Sequence, residues 1–276
     1  VATVNISLET DSPTKTMVAG TAFTTTVDGT SFQFVTIADI TASNIGNTVA
    51  FDSTSLYEGT YVTIKYIVDT SDAEQRFILT DDRADTSTLT VQVQNAVNDS
   101  NLTTYTKATD ITQLSATSSV YFLQEVENGR FEVYFGDGVV SKALSDGNVV
   151  ILNYVVTNKT AANGASSFSA PSSIDGVSAI TTTTVTSAAG GAEPESMDSI
   201  KLQAPLDFAS QGRAVTTEDY KVYARKLFPN TQAVSVWGGE DGSFDPSLGV
   251  SSTPEYGKVF ISVSYTHLTL PTICSV

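Results

Sequence analysis

The sequence predicts an α+β fold, mainly β: two N-terminal β-rich domains, then a smaller α+β domain with two helices and a short sheet. Three observations predict it. Between Val1 and Phe168 apolar residues alternate over short runs bounded by Gly, Asn and Asp, the period of half-buried strands. From Pro194 to Leu227 the apolar spacing lengthens to i, i+3, i+4 and i+7, the period of a helix. Beyond Pro229, alternation returns in Gln232–Trp237 and Lys258–Ser262. The chain has 276 residues, enough for roughly two domains with a sizeable core. Its 41% hydrophobic content is that of a globular protein rather than a disordered one.

Taken in order, Val1–Thr10 reads as a strand with Val4, Ile6 and Leu8 on one face, followed by a loop over Asp11–Lys15. Thr21–Val27 and Ser31–Ile37 flank Asp28-Gly29, a hairpin signal because both residues tolerate positive φ. Asn44–Asn47 is a further turn. Glu58–Asp69 carries β-branched and aromatic residues on both faces. The first β domain is thus expected over residues 1–70. The second, antiparallel, is expected over 71–168, with strands at Arg76–Thr80, Ser87–Gln94 and Ser119–Val126. In Ser87–Gln94, Leu89, Val91 and Val93 oppose Thr88, Thr90, Gln92 and Gln94, which predicts a half-exposed strand. Asn95–Thr112 is polar and reads as a loop or irregular crossover.

The plainest strand–turn–strand grammar lies in Gln124–Phe168. Glu127-Asn128-Gly129 is a turn, Arg130–Phe135 alternates, Gly136-Asp137-Gly138 breaks the run, and Asn148–Thr157 is a more apolar strand. The whole stretch reads as an antiparallel sheet with polar turns. Residues 169–191, poor in charge and rich in Ala, Ser, Thr and Gly, are expected to be mostly linker, with strand pieces such as Ile180–Val185.

The α+β domain is expected over 192–262. Pro194 suits a first helical position, with Met197, Ile200 and Ala204 at helical spacing, and Pro205 should end or kink that helix. Thr216, ahead of Glu218 and Asp219, suits an N-cap. Tyr220, Tyr223, Ala224 and Leu227 then form one apolar stripe, predicted to pack on the strands that follow.

Composition excludes several functions. Lys plus Arg is 14 against 30 Asp plus Glu, a net charge of −16 that repels nucleic-acid phosphates. The longest apolar run, Val149–Val156, is far short of a membrane span. No basic-then-apolar leader opens the chain, and Val1 is not a Met start, as for a segment beginning inside a longer product. His267 and Cys274 both lie near the end, where Val263–Thr272 reads VSYTHLTLPT. That string matches one frame of a common sequencing adaptor, although Tyr265, His267 and Thr269 also alternate as in a strand. Residues 263–276 are therefore expected to be a non-native tail. Without that tail the chain has neither His nor Cys. It then has no disulfide, no Cys or His metal site, and no Ser-His or Cys-His nucleophile.

Gly136-Asp137-Gly138 lacks the further carboxylates of a calcium loop and the Lys-Ser/Thr pair of a phosphate loop. Glu240, Asp241 and Asp245 lie close enough for calcium, but acidic surface turns have the same composition. No carboxylate pair is singled out for glycoside hydrolysis. Hence no catalytic residue, metal or cofactor is predicted. Basic charge instead gathers in the helical domain, at Lys201, Arg213, Lys221, Arg225 and Lys226. Those five residues, with the lone Trp237, are the candidate interface.

Two blocks carry a family resemblance. FEVYFGDGVVSKALSDGNVVILNYVVTN is similar to the baseplate wedge subunits of T-even-type contractile-tailed phages, relatives of the baseplate J-like group. PESMDSIKLQAPLDFASQGRAVTTEDY, Pro194–Tyr220, followed by VSVWGGED and YGKVFIS, supports it in order and spacing, from about Phe23 to Ser262. The resemblance implies a structural virion protein of the tail baseplate, assembled in the bacterial cytoplasm. Its implied partners are other wedge proteins and a second copy of itself in the full-length protein. It also implies a role in the inner baseplate ring and in relaying the contraction trigger. Two other classes fit composition alone: a carbohydrate-binding tail-fibre or adhesin module, with 11 Tyr for sugar stacking, and a tail-associated glycoside hydrolase. Resequencing the source DNA across Ser262 should show the reading frame leaving native sequence there. A continuous frame in independent clones would restore His267 and Cys274 as native residues.

Overall fold

The computed structural model describes residues 1–110, 114–228, 231–239, 255–265 and 272–275. They fall into two compact units, Val1–Glu193 and Pro194–Val276.

In the first unit, β1 (Ala2–Glu9), β2 (Thr14–Met17), β3 (Ala22–Val27), β4 (Thr30–Val35), β5 (Ile40–Ile45) and β6 (Thr48–Glu58) form one sheet. The chain then leaves it. β7 (Thr60–Ile67), β8 (Phe77–Ile78), β9 (Ala84–Gln94), β10 (Leu102–Lys107), β11 (Val120–Glu125), β12 (Phe131–Tyr134) and β13 (Val149–Val156) form a second sheet. Finally β14 (Ile180–Thr186) returns to the first. The first sheet runs β14-β1-β6-β4-β3, with β5 on β6 and β2 on β5; the second runs β7-β13-β9-β10-β11-β12-β8. All pairings in this unit are antiparallel except β10 with β11.

The alternation of β1 buries Ala2, Val4, Ile6 and Leu8 on one face, as the sequence predicts. The β3–β4 turn is Asp28-Gly29 with φ of 49° and 80°, the double positive φ that matches strand twist in a two-residue hairpin. The first core joins these strands to Ala162, Ala165, Phe168, Ile174 and Ala188. Phe168 meets Phe34 edge to face, at 4.9 Å and 71°. Ala162, Ala165 and Phe168, expected in the second domain, and Ala170, Ile174, Val177 and Ala188 of the segment expected as linker thus cover the first sheet, and being mostly small and uncharged they let the chain lie close. The Ile180–Val185 strand piece is β14, paired along the length of β1.

β13 is buried on both faces from Val149 to Val155 because it lies between β7 and β9 in mid-sheet. Asn153 in this apolar setting accepts from the Thr63 hydroxyl at 2.7 Å. Where the β13–β9 register shifts after Asn153, Thr88 Oγ1 takes the Val155 N–H at 2.9 Å. Two features differ from expectation. Within Gln124–Phe168, β12 pairs with β11 and β8 while β13 pairs elsewhere, so the two strands share a sheet without touching as neighbours. The polar stretch 95–112 contains β10, of which only Tyr105 is buried. It is held by its backbone ladder to β9, and it has no hydrophobic period to read.

The two sheets meet at a neck. β6 ends at Glu58 and β7 begins at Thr60, while β13 ends at Val156 beside them. Glu58 accepts from Thr157 Oγ1 (2.7 Å), the Asn158 N–H (2.8 Å) and Asn158 Nδ2 (2.7 Å). Gly59 has φ of 126°, and a Cβ there would overlap the Val156 carbonyl oxygen. The outgoing and returning chains are thus clamped together.

In the second unit, α1 (Met197–Ser210) and α2 (Thr217–Leu227) precede β15 (Thr231–Gly238), β16 (Val259–Tyr265) and β17 (Thr272–Ser275). The sheet order is β15-β16-β17, antiparallel. α1 starts three residues after Pro194, because Ser196 caps it by accepting the Ser199 N–H at 3.3 Å. It also runs on through Pro205 rather than ending there. That proline and Lys201, whose carbonyl loses the usual partner, are both exposed, so water replaces the missing bond. Gln211, left-handed at φ 50°, ends the helix.

Replacing Gly59 with Ala should cost on the order of 3 kcal/mol, from positive-φ strain plus the overlap at Val156. Glu58→Ala should cost about 1–2 kcal/mol by stranding its donors. Urea unfolding midpoints measure both, and an unchanged midpoint in Gly59→Ala would remove the clamp from the account.

Candidate functional site

The candidate interface residues all lie in the second unit. Lys221 pairs with Glu218 at 2.6 Å, and Lys226 reaches from α2 to Asp207 of α1 at 3.2 Å. Arg213 Nη2 donates to Gln211 Oε1 at 3.0 Å. Lys201 and Arg225 form no ion pair among the described residues. Lys201, Arg213 and Lys226 are exposed, whereas Lys221 and Arg225 are half-buried. The basic cluster is thus partly neutralised in place, and its free charge lies mainly at Lys201, Arg213 and Arg225.

Trp237 is half-buried and stacks on Phe260, its partner across β15 and β16, at 6.0 Å and 13°. Its Nε1 is buried without a hydrogen-bond partner. The ring is therefore mainly a packing residue of the small sheet. α2 packs on β15, with Ala224 buried and Tyr220 and Tyr223 half-buried. Leu227, expected in the same stripe, is 69% exposed instead. It lies in the last turn of the helix, clear of the buried stretch around Ala224.

α2 begins with the capping box that Thr216 predicts. Thr216 Oγ1 accepts the Asp219 N–H (3.3 Å), and Asp219 Oδ2 accepts the N–H groups of Thr216 (2.8 Å) and Val215 (3.1 Å). These backbone donors hold the Asp219 carboxyl below the usual carboxylate range, helped by the Thr216 hydroxyl and Arg213.

The feature that residue-by-residue reading missed is α1 itself. Only Ser210 of α1 is buried, on a polar side that it shares with Ser199, Gln203 and Asp207, while the apolar residues of the helix face outward. Met197, Leu202 and Phe208 are 67%, 66% and 83% exposed. Ile200 and Leu206 are exposed with them, as are Val215 and Phe228 nearby in sequence. At 100° per residue Met197, Ile200 and Phe208 lie on one side and Leu202 and Leu206 on the other. Apolar residues on two further sides of the helix, beside the polar side of Ser199, Gln203, Asp207 and Ser210, were the readable signal.

The other function classes find less in the first unit. A cavity of about 70 Å³ at the neck is lined by Glu58 and Asp85 among others, well under the few hundred Å³ of a ligand cleft. Its Glu58 carboxylate is already engaged by three donors. A larger depression of about 430 Å³ at Glu9, Asp11 and Thr48 is shallow, open to solvent and without an apolar lining side chain. Tyr134 is partly exposed but stacked on Phe122 at 5.1 Å. Among the described residues no group of three or more His, Cys, Asp or Glu converges; Glu240, Asp241 and Asp245 lie outside them. Among the described residues no helix is long and apolar enough to cross a membrane.

Comparison with known proteins gives the class. Residues 63–165 match the family model of the third domain of the bacteriophage baseplate wedge protein gp6, and together with the fold this supports a baseplate wedge subunit. The particular relative is baseplate wedge protein gp6 of Enterobacteria phage T4, to which the chain is 25% identical over 238 residues. The alignment covers 77% of this chain and 35% of that protein, so the chain spans about a third of its relative's length. The matched residues 63–165 extend from within β7 to just past β13, which is the second sheet. The stretch that matches this family model thus lies in the segment inserted, through the Glu58–Gly59 neck, between β6 and β14 of the first sheet.

Asp219→Asn should lower the melting temperature at neutral pH. A depressed carboxyl stabilises above its ordinary value of 3.8 and loses that effect as pH falls through the lower folded value. Wild-type and variant curves should therefore converge in acid below pH 3.8. Parallel curves down to low pH would show that the cap does not depend on the Asp219 charge.

Proposed function

We propose that this chain is a structural subunit of a phage tail baseplate wedge, located in the virion, and that its helical unit holds a neighbouring wedge protein. The observation that carries the reading is α1, whose apolar residues Met197, Ile200, Leu202, Leu206 and Phe208 are all exposed. Burying Leu202 and Phe208 in a partner recovers about 1.5–3 kcal/mol each relative to water. Lys201, Arg213 and Arg225 set orientation and encounter rate against an acidic partner face, with apolar contact supplying most of the affinity. The similarity to a wedge protein favours this role over the adhesin and hydrolase readings. On the same reading the chain is not an enzyme, and it joins the inner baseplate ring and relays the contraction trigger as a mechanical part.

The test is co-expression with the other baseplate subunits of the same phage. Leu202→Glu with Phe208→Glu should weaken capture by roughly 30-fold or more, the scale of a hot-spot loss, while the melting temperature of the isolated chain stays within a few degrees. Arg213→Glu with Arg225→Glu should slow association and flatten its salt dependence. Undiminished capture by the Leu202/Phe208 variant would move the interface off α1.

A further inference from the structure

We propose that β14 is a self-pairing edge, where two copies of the chain join their first sheets through antiparallel Ile180–Thr186 strands. The proposal rests on the unit Val1–Glu193 alone and does not depend on what α1 binds.

β14 pairs only with β1. The Glu9 N–H donates to the Ala179 carbonyl, and this fixes the phase of the ladder. Thr181 and Thr183 direct their backbone groups to β1, while Ile180, Thr182 and Thr184 direct theirs outward. Among the described residues no backbone group pairs with that outer side.

The strands at the other ends of the two sheets each carry a device against strand addition. β2 has Lys15 at its centre, and β7 has Lys65. β3 is covered where Thr24 and Ser169 exchange two backbone bonds, at 3.0 and 2.8 Å. β8 is two residues long and follows Arg76. β14 has none of these. It reads ITTTTVT, every residue β-branched, with no charge and no proline.

The occupant follows from charge and symmetry. The chain carries a net charge of −16, so most surfaces of two copies repel. Gly176–Ala192 contains no charged residue at all, which makes this edge a place where two acidic copies meet without facing carboxylates. The outward residues are also symmetric about Thr182. A two-fold axis through Thr182 sets Ile180 opposite Thr184 of the second copy, and all three residues find backbone partners. One strand pair buries less than the roughly 1,200 Å² of a stable interface. The dimer of the isolated chain is therefore weak and concentration-dependent, and it is strengthened when other contacts hold the copies together.

The experiment is sedimentation of the full 276-residue chain over a concentration series, with amide exchange read by NMR. It is run in the Leu202→Glu/Phe208→Glu background so that α1 does not contribute. The Ile180, Thr182 and Thr184 amides should gain protection as concentration rises, while Thr181 and Thr183 stay protected throughout. Thr181→Lys with Thr183→Lys changes exposed side chains and leaves the bonds to β1 intact. It should weaken self-association at least ten-fold. Exchange of the three outward amides that ignores concentration would overturn the proposal, and so would a dimer that survives the double Lys variant. Protection that appears only on adding a different baseplate subunit would overturn the assignment to a second copy.

Discussion

The first unit depends on the contact at its neck. A domain inserted between β6 and β14 connects to its host by two chain crossings, and nothing in a ladder of backbone bonds obliges those crossings to stay together. Glu58 binds them by accepting from Thr157 and Asn158, and Gly59 permits the close approach to Val156. With the neck closed, β6 and β13 leave one point in fixed directions. β14 can then return to the far side of β1, and the segment that follows β13 is free to cover the first core. The constraint is local, yet it determines that two sheets with separate cores form one compact unit.

Strand positions were legible wherever one face is buried. β1, β3, β4, β9 and β12 alternate, and the Asp28-Gly29 and Asn128-Gly129 turns carry the positive φ their residues favour. Pairing was not legible. β13 has apolar residues on both faces because it is central, and that pattern does not say which strands flank it. β10 hid for the opposite reason, since a Thr-rich strand with one buried residue has no period at all. Charge-poor composition at 169–191 reads as linker by habit, but small uncharged residues also suit a chain that packs flat against a sheet. For the candidate site, the basic residues were visible as a list while their neutralisation by Glu218 and Asp207 was not. Ion pairs across elements are a product of the fold.

The two units handle exposed bonding capacity differently. In the first, several polar side chains inside the sheets find partners, although the buried Thr25 and Ser141 hydroxyls have none among the described residues. Asn153 meets Thr63, Thr88 meets the Val155 N–H, and Glu132 takes a bidentate bond from Arg76 at 3.0 and 2.7 Å. That last pair stands in for apolar packing where β12 turns a carboxylate toward a buried position. Glu132 is held below the usual carboxylate range chiefly by the guanidinium. Among the described residues, the bonding capacity left open along β14 is made of backbone groups. The second unit leaves apolar side chains in water instead, a cost that the partner proposed above would offset.

That contrast bears on how such a chain works in an assembly. A strand edge binds through directional hydrogen bonds that are exchanged with water, so its net gain per bond is small and its geometry exacting. An apolar helix gains more per residue but tolerates several orientations. A subunit that uses the helix for affinity and the edge for register separates strength from alignment. On the proposals made above, the helix would bind a neighbouring wedge protein and the β14 edge a second copy, so that strength and alignment rest on different units.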